Sequence, residues 1–123
     1  MAIEPDLSEG IRLFNAQKYF EAHEAMEAVW LTASGDRKTF LHGLIQVAAA
    51  FHHYARGNLE GFRSLLEKGC TRLVKFNPAA EGVDVAGLLF QLQRWREHLR
   101  SNCPQSSSIP PLPVIRQKGD PDE

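Results

Sequence analysis

The feature that most constrains this chain is the stretch 38–56, which is apolar on nearly every side when read at helical period. Set at about 100° per residue, Phe40, Leu41, Leu44, Ile45, Val47, Ala48, Phe51 and Ala55 take about half the circumference, and His52 falls in the same arc. A helix with that much apolar surface must be covered from several directions, so it is predicted to be the central helix of a bundle. Gly43 and Ala50 form a strip of small residues that admits a close neighbour. The remaining side carries His42, Gln46, Ala49 and His53 at spacings of four, three and four, a narrow polar line on an otherwise apolar rod.

Period and punctuation predict four more helices. The first covers 7–16, with Asp6 or Ser8 as its cap and Ile11, Leu13 and Phe14 as apolar contacts. The second covers 19–31 and stops near Ser34-Gly35, and Asp36 is available to cap the central helix. Gly57 ends that helix, Asn58 caps a fourth over 59–76, and Asn77-Pro78 stops it. A loop at 79–83 contains Gly82. Asp84 then caps a fifth helix to about 99, with Val85, Leu88, Leu92, Trp95 and Leu99 on one stripe.

No strand pattern competes. The tight joints at 15–18 and 57–58 predict antiparallel neighbours, so the fold class is all-α, a compact bundle of about five antiparallel helices over 1–103. Residues 104–123 are rich in proline and serine and predict an extended C-terminal tail. Ile109, Leu112, Val114 and Ile115 can lie against the bundle, and the chain from Gln117 onward is predicted to be disordered.

Composition excludes several classes of function. With 43% hydrophobic and 24% charged residues the chain is too apolar for intrinsic disorder and too charged for a membrane protein. A net charge of -1, from 14 basic and 15 acidic residues, provides no field to draw nucleic acid. The longest strongly apolar run, 47–51, is far too short to cross a bilayer. Residues 1–7 lack the basic and then apolar pattern of a secretory leader, and Cys70 and Cys103 show neither metal-ligand spacing nor a disulfide framework. A cytoplasmic location is the expectation, with neither nucleic acid nor membrane as partner.

The information about chemistry is concentrated in 19–30. On a helix Tyr19, Ala22, His23, Met26 and Trp30 share a face, and Glu27 lies roughly 80° around from Tyr19. That placement points Glu27 into the apolar arc, where a carboxylate needs a donor, and His23 one turn earlier is the nearest. Glu24 sits at the far edge of the arc. If the His42, Gln46, Ala49, His53 line meets this helix, it supplies donors or ligands to Glu27 and Glu24.

The block Phe20-Glu21-Ala22-His23-Glu24-Ala25-Met26-Glu27-Ala28-Val29-Trp30 is followed by Gly43-Leu44-Ile45-Gln46-Val47-Ala48 and then His53-Tyr54-Ala55-Arg56-Gly57-Asn58. In order and spacing these blocks resemble the domain-of-unknown-function 309 family over roughly residues 8 to 75. The resemblance implies a small helical bundle and no activity. His23, Glu24, Glu27, Trp30, Gly43, Gln46, His53, Gly57 and Asn58 fit its pattern.

Two functional readings follow. The favoured one is a non-enzymatic helical binding or scaffold domain, packed like tetratricopeptide helix pairs, with a protein partner or a second copy as its ligand and no cofactor. In it His23, Glu24, Glu27, Gln46 and His53 are a buried hydrogen-bond network that sets how the helices pack. Its alternative is a metal-dependent, hydrolase-like protein in which a divalent metal sits on His23, Glu27 and His53. His-Glu-x-x-Glu is the zinc-protease string with its last ligand replaced, and Glu24 would be the general base. Metal-free acid–base catalysis by His23 and Glu27 ranks lower, since the sequence shows no nucleophile or substrate anchor. Tyr19, Met26 and Trp30 are weighed as the lining of a ligand pocket but read as core, Cys70 as a small core residue, and His42 and His98 as facing solvent.

Overall fold

The computed structural model describes residues 6–100 and 109–118. Among them are five α-helices: α1 (Leu7–Asn15), α2 (Tyr19–Trp30), α3 (Gly35–Ala55), α4 (Leu59–Leu73) and α5 (Val85–Arg100). A 3-10 turn, Val74–Phe76, closes α4. Between that turn and α5 runs a small antiparallel hairpin, β1 (Ala79–Ala80) and β2 (Val83–Asp84), where only a loop was expected. The chain is all-α apart from that hairpin.

The cap signals act largely as read. Asp6 accepts from the Ser8 N–H, Asn58 from Gly61 and Asp84 from Gly87, each near 3.0 Å, so three helix starts have one orphan donor satisfied by a side chain. The start of α3 differs: the helix begins at Gly35, Ser34 holds the cap position without a side-chain bond, and Asp36 lies in the first turn. There its charge complements the positive end of the helix. Gly57, at φ +81°, makes the left-handed exit from α3 that an L-residue resists.

As its pattern demanded, α3 is central, with ten buried residues between Phe40 and Phe51. The small-residue strip does its predicted job. A Cβ on Gly43 would stand 2.9 Å from the Leu73 side chain, and one on Gly69 would stand 2.8 Å from Val47 and 3.1 Å from the Gly43 carbonyl oxygen. Paired glycines thus let α3 and α4 approach backbone to backbone. Phe51 gathers the rest of the core, meeting Phe14, Tyr19, Phe62 and Trp95 at ring separations of 5.0–6.4 Å. Contacts at such angles and distances stabilise beyond simple burial of area.

The C-terminal strap runs back along α5. Pro110, Pro113 and Ile115 are buried and Leu112 packs on the core, whereas Ile109, expected against the bundle, is 60% exposed. The Trp95 indole donates to the Pro111 carbonyl (3.0 Å), and the Gln91 amide both donates to and accepts from Val114 (2.9 Å each). Gln117 bridges to Val83, and the Lys118 N–H donates to the Gly82 carbonyl (2.6 Å). Disorder was expected from Gln117 onward; residues 117 and 118 are instead held by the hairpin, whose free edge offers main-chain partners that no local pattern in the tail announces. The expected boundary at 103/104, Cys103 and residues 119–123 lie outside the described residues.

Candidate functional site

The second helix is rotated relative to its sequence reading. Tyr19, Ala22, Met26 and Val29 are its buried residues, which turns the apolar centre by roughly 40° from the face through Trp30 and leaves Glu27 about 120° away from it. On the α1 side Gly10 accommodates this face: a Cβ there would stand 2.6 Å from the Met26 Cγ, so α1 packs closely over Met26. Glu27 is therefore exposed, not buried, and its carboxylate makes no hydrogen bond or ion pair among the described residues. Glu24 is exposed as well.

The line on α3 does face α2. His42, Gln46 and Ala49 join His23, Glu27, Trp30, Ile45 and Leu65 around a cleft of about 240 Å³. A second cleft of about 160 Å³ adjoins it, lined by Phe20, His23, Ala49, His52 and His53. His23 borders both.

The expected donors do not reach the carboxylates. The Gln46 Oε1, on a side chain only 8% exposed, accepts from the Arg72 Nε on α4 at 3.0 Å. His53 Nδ1 lies 3.1 Å from the Asn58 Nδ2. Because Asn58 Oδ1 already accepts the Gly61 N–H, its amide nitrogen must donate, so His53 Nδ1 accepts and its proton sits on Nε2. His23, Glu24, Glu27, Gln46 and His53 thus form no shared network. His23 and Glu27 border one cleft and His53 the other, and among the described residues no three His, Cys, Asp or Glu side chains are grouped to hold a metal ion.

Three buried polar atoms on α2 are left over: the Tyr19 hydroxyl, away from the clefts, and two at this cleft. His23 Nδ1 and Trp30 Nε1 are shielded from solvent and have no hydrogen-bond partner among the described residues. Such groups cost about 1–3 kcal/mol each when unsatisfied, and both belong to residues that line the larger cleft. Trp30 is only partly buried, stacked under the Lys38 Nζ (4.3 Å) and angled against His42 (5.9 Å). His42, expected in solvent, is half-buried; desolvation, with the Arg72 charge beside it, holds its pKa below the usual histidine value. His52 is shifted the same way by desolvation and by Arg56, His53 and His23. The cleft therefore offers an indole N–H, the His23 imidazole, a His42 imidazole biased toward the neutral form and a free carboxylate at its rim.

The family model for a domain of unknown function, DUF309, matches residues 7–65. Those residues belong to that family. The DUF309 segment takes in α1, α2, α3 and the first half of α4, and so contains the whole α2–α3 seam. The chain is also similar to the uncharacterized protein YpuF of Bacillus subtilis (strain 168), at 32% identity over 97 residues that cover 76% of this chain. Those residues span 56% of YpuF, little more than half of that relative. No described helix is long and apolar enough to cross a membrane.

Within the DUF309 segment, two lining residues stand outside the cluster that the sequence singles out. Trp30, which the sequence weighs as pocket lining but favours as core, and His42, which it favours as solvent-facing, pack on each other beside the cleft. The available signal was the i, i+4 line from His42 to Gln46, whose meeting with α2 was left open. Leu65 reaches the cleft from α4, which no pattern within α2 or α3 could announce.

Proposed function

We propose that this chain is a non-enzymatic helical binding domain whose site is the α2–α3 cleft. One observation carries the reading: His23 Nδ1 and Trp30 Nε1 are both buried, both without partner among the described residues, and both on residues lining the same cleft. A ligand that offers an acceptor to the indole and a polar atom to the imidazole removes two unsatisfied groups at once. Glu27 at the rim favours a ligand that also carries a donor or a positive charge. The cleft's size suits a small polar molecule or one side chain of a partner protein.

A metal-dependent, hydrolase-like role is the second reading, favoured by His23 and Glu27 bordering one cleft from adjacent turns of α2. It requires a third ligand from outside that pair, and His53 is turned to the neighbouring cleft and to Asn58.

The test is a ¹⁵N-resolved titration that watches the two tryptophan indoles. Trp95 Nε1 is bonded to Pro111 and serves as the internal reference; Trp30 Nε1 is the reporter. A library of small polar compounds should contain ligands that shift the Trp30 signal and spare the Trp95 signal, with binding lost in Glu27→Gln. Zinc and manganese are titrated separately. Saturable stoichiometric metal uptake that depends on both His23 and Glu27 transfers support to the second reading. A Trp30 signal indifferent to every compound and metal removes the cleft as a site.

A further inference from the structure

We propose that the channel along α5 is a peptide-recognition groove that takes residues 109–118 of a second copy of this chain by the same contacts it makes to its own. This does not depend on the α2–α3 cleft.

The contacts have the character of ligand recognition. Three side chains of the bundle address main-chain atoms of the strap. Asn15 on α1 donates to the Ile115 carbonyl (2.9 Å) and accepts its N–H (2.7 Å). Gln91 on α5 does the same for Val114, and Trp95 donates to the Pro111 carbonyl. Each of the two amides thus replaces the neighbouring strand that Val114 and Ile115 would otherwise need, a recognition by main-chain pairing common to extended peptides. Three side chains of the strap, Pro110, Pro113 and Ile115, are buried, while Pro111 and Arg116 face outward. Proline holds the segment extended beforehand, so docking orders fewer bonds than an unconstrained peptide requires. Past the clamps, Asp84 donates to the Arg116 carbonyl (2.9 Å), and Val83 bridges to Gln117.

The occupant follows from the same list. Among the described residues the contacts to 110–118 are non-covalent, and the covalent link from α5 to the strap is residues 101–108. The strap runs antiparallel to α5, since Pro111 lies by Trp95, Val114 by Gln91 and Arg116 by the start of the helix. A second copy carries the identical segment, so exchange re-forms in trans the same described contacts, the condition under which tails swap between protomers. A short tether holds a cis ligand at an effective concentration on the order of millimolar, so the chain's own strap normally occupies the groove.

The probe is a fluorescent synthetic peptide of residues 109–118, titrated against full-length chains. Ile115→Asp expels the cis strap and leaves the groove intact; it should bind the peptide saturably. Wild type, with its groove filled, and Ile115→Asp with Asn15→Ala and Gln91→Ala should each bind at least tenfold more weakly. No binding by a folded Ile115→Asp chain, or equal binding by all three, overturns the proposal. Should Ile115→Asp melt, wild type carrying a specific protease site within 103–107 is cleaved after folding. The nicked chain should keep its peptide through gel filtration and exchange it for labelled peptide. Loss of the peptide from the nicked bundle, or retention without exchange, overturns the proposal equally.

Discussion

Asn15 and Ile115, one hundred residues apart, exchange two hydrogen bonds: the Asn15 amide donates to the Ile115 carbonyl at 2.9 Å and accepts the Ile115 N–H at 2.7 Å. The pair ties the end of the first helix to the strap, with Ile115 itself 1% exposed. Asn15→Ala removes both partners of a buried peptide group. It should destabilise the chain by about 1–3 kcal/mol in urea unfolding, with faster amide exchange over residues 113–116. Unchanged exchange there would show that the strap is held by its apolar contacts alone.

The α3–α4 contact depends on missing side chains. Gly69→Ala places a methyl against Val47 and the Gly43 carbonyl, neither of which is the far end of a flexible chain. Overpacking of this kind costs roughly 1–3 kcal/mol, read as a lowered midpoint in thermal or urea melts. A neutral Gly69→Ala would mean the two helices separate without loss.

Glu27 is exposed and unpaired among the described residues, so Glu27→Gln should change stability by less than about 0.5 kcal/mol. A larger loss in a melting comparison would restore the buried network that the helical pattern suggested. Trp30→Phe, which deletes an unsatisfied buried N–H, should likewise leave the melting temperature near wild type while abolishing any ligand-induced shift at the seam.

Stability should fall on mild acidification. His42 and His52 have folded pKa values below the ordinary 6.5, for both chiefly because burial disfavours the charged ring. The unfolded chain then binds protons more readily, so this contribution is complete above about pH 6.5 and is lost as pH falls through the folded values. Urea midpoints measured from pH 7.5 to 5 should decline, and His42→Phe should flatten part of that slope. A midpoint that rises toward pH 5 would reverse the assignment.

Much of the fold was legible locally. Helix positions, the caps at Asp6, Asn58 and Asp84, the left-handed turn at Gly57 and the central place of α3 each depend on a few neighbouring residues and their period. Capping and amphipathic burial are short-range, so the chain states them in its own order. The polar line His42, Gln46, Ala49 and His53 was legible as a line from helical spacing, while its meeting with α2 was left open and is found in the structure.

By itself, then, the sequence determined which segments are helical, which helix is central and which two helices carry the polar candidates. Only the tertiary structure decided the rotation of α2, which buries Val29, leaves Glu27 at the rim and sets Met26 closely against Gly10 of α1. It alone decided that His53 turns to Asn58 and Gln46 to Arg72. It decided too that Asn15 and Gln91, ordinary polar residues on their helices, clamp a strap at the far end of the chain. The physical reason is common to all three. Helical period fixes the angle between side chains within one helix, but a few tens of degrees of rotation, or the choice among distant hydrogen-bond partners, is set by close packing between elements, and no local pattern encodes it.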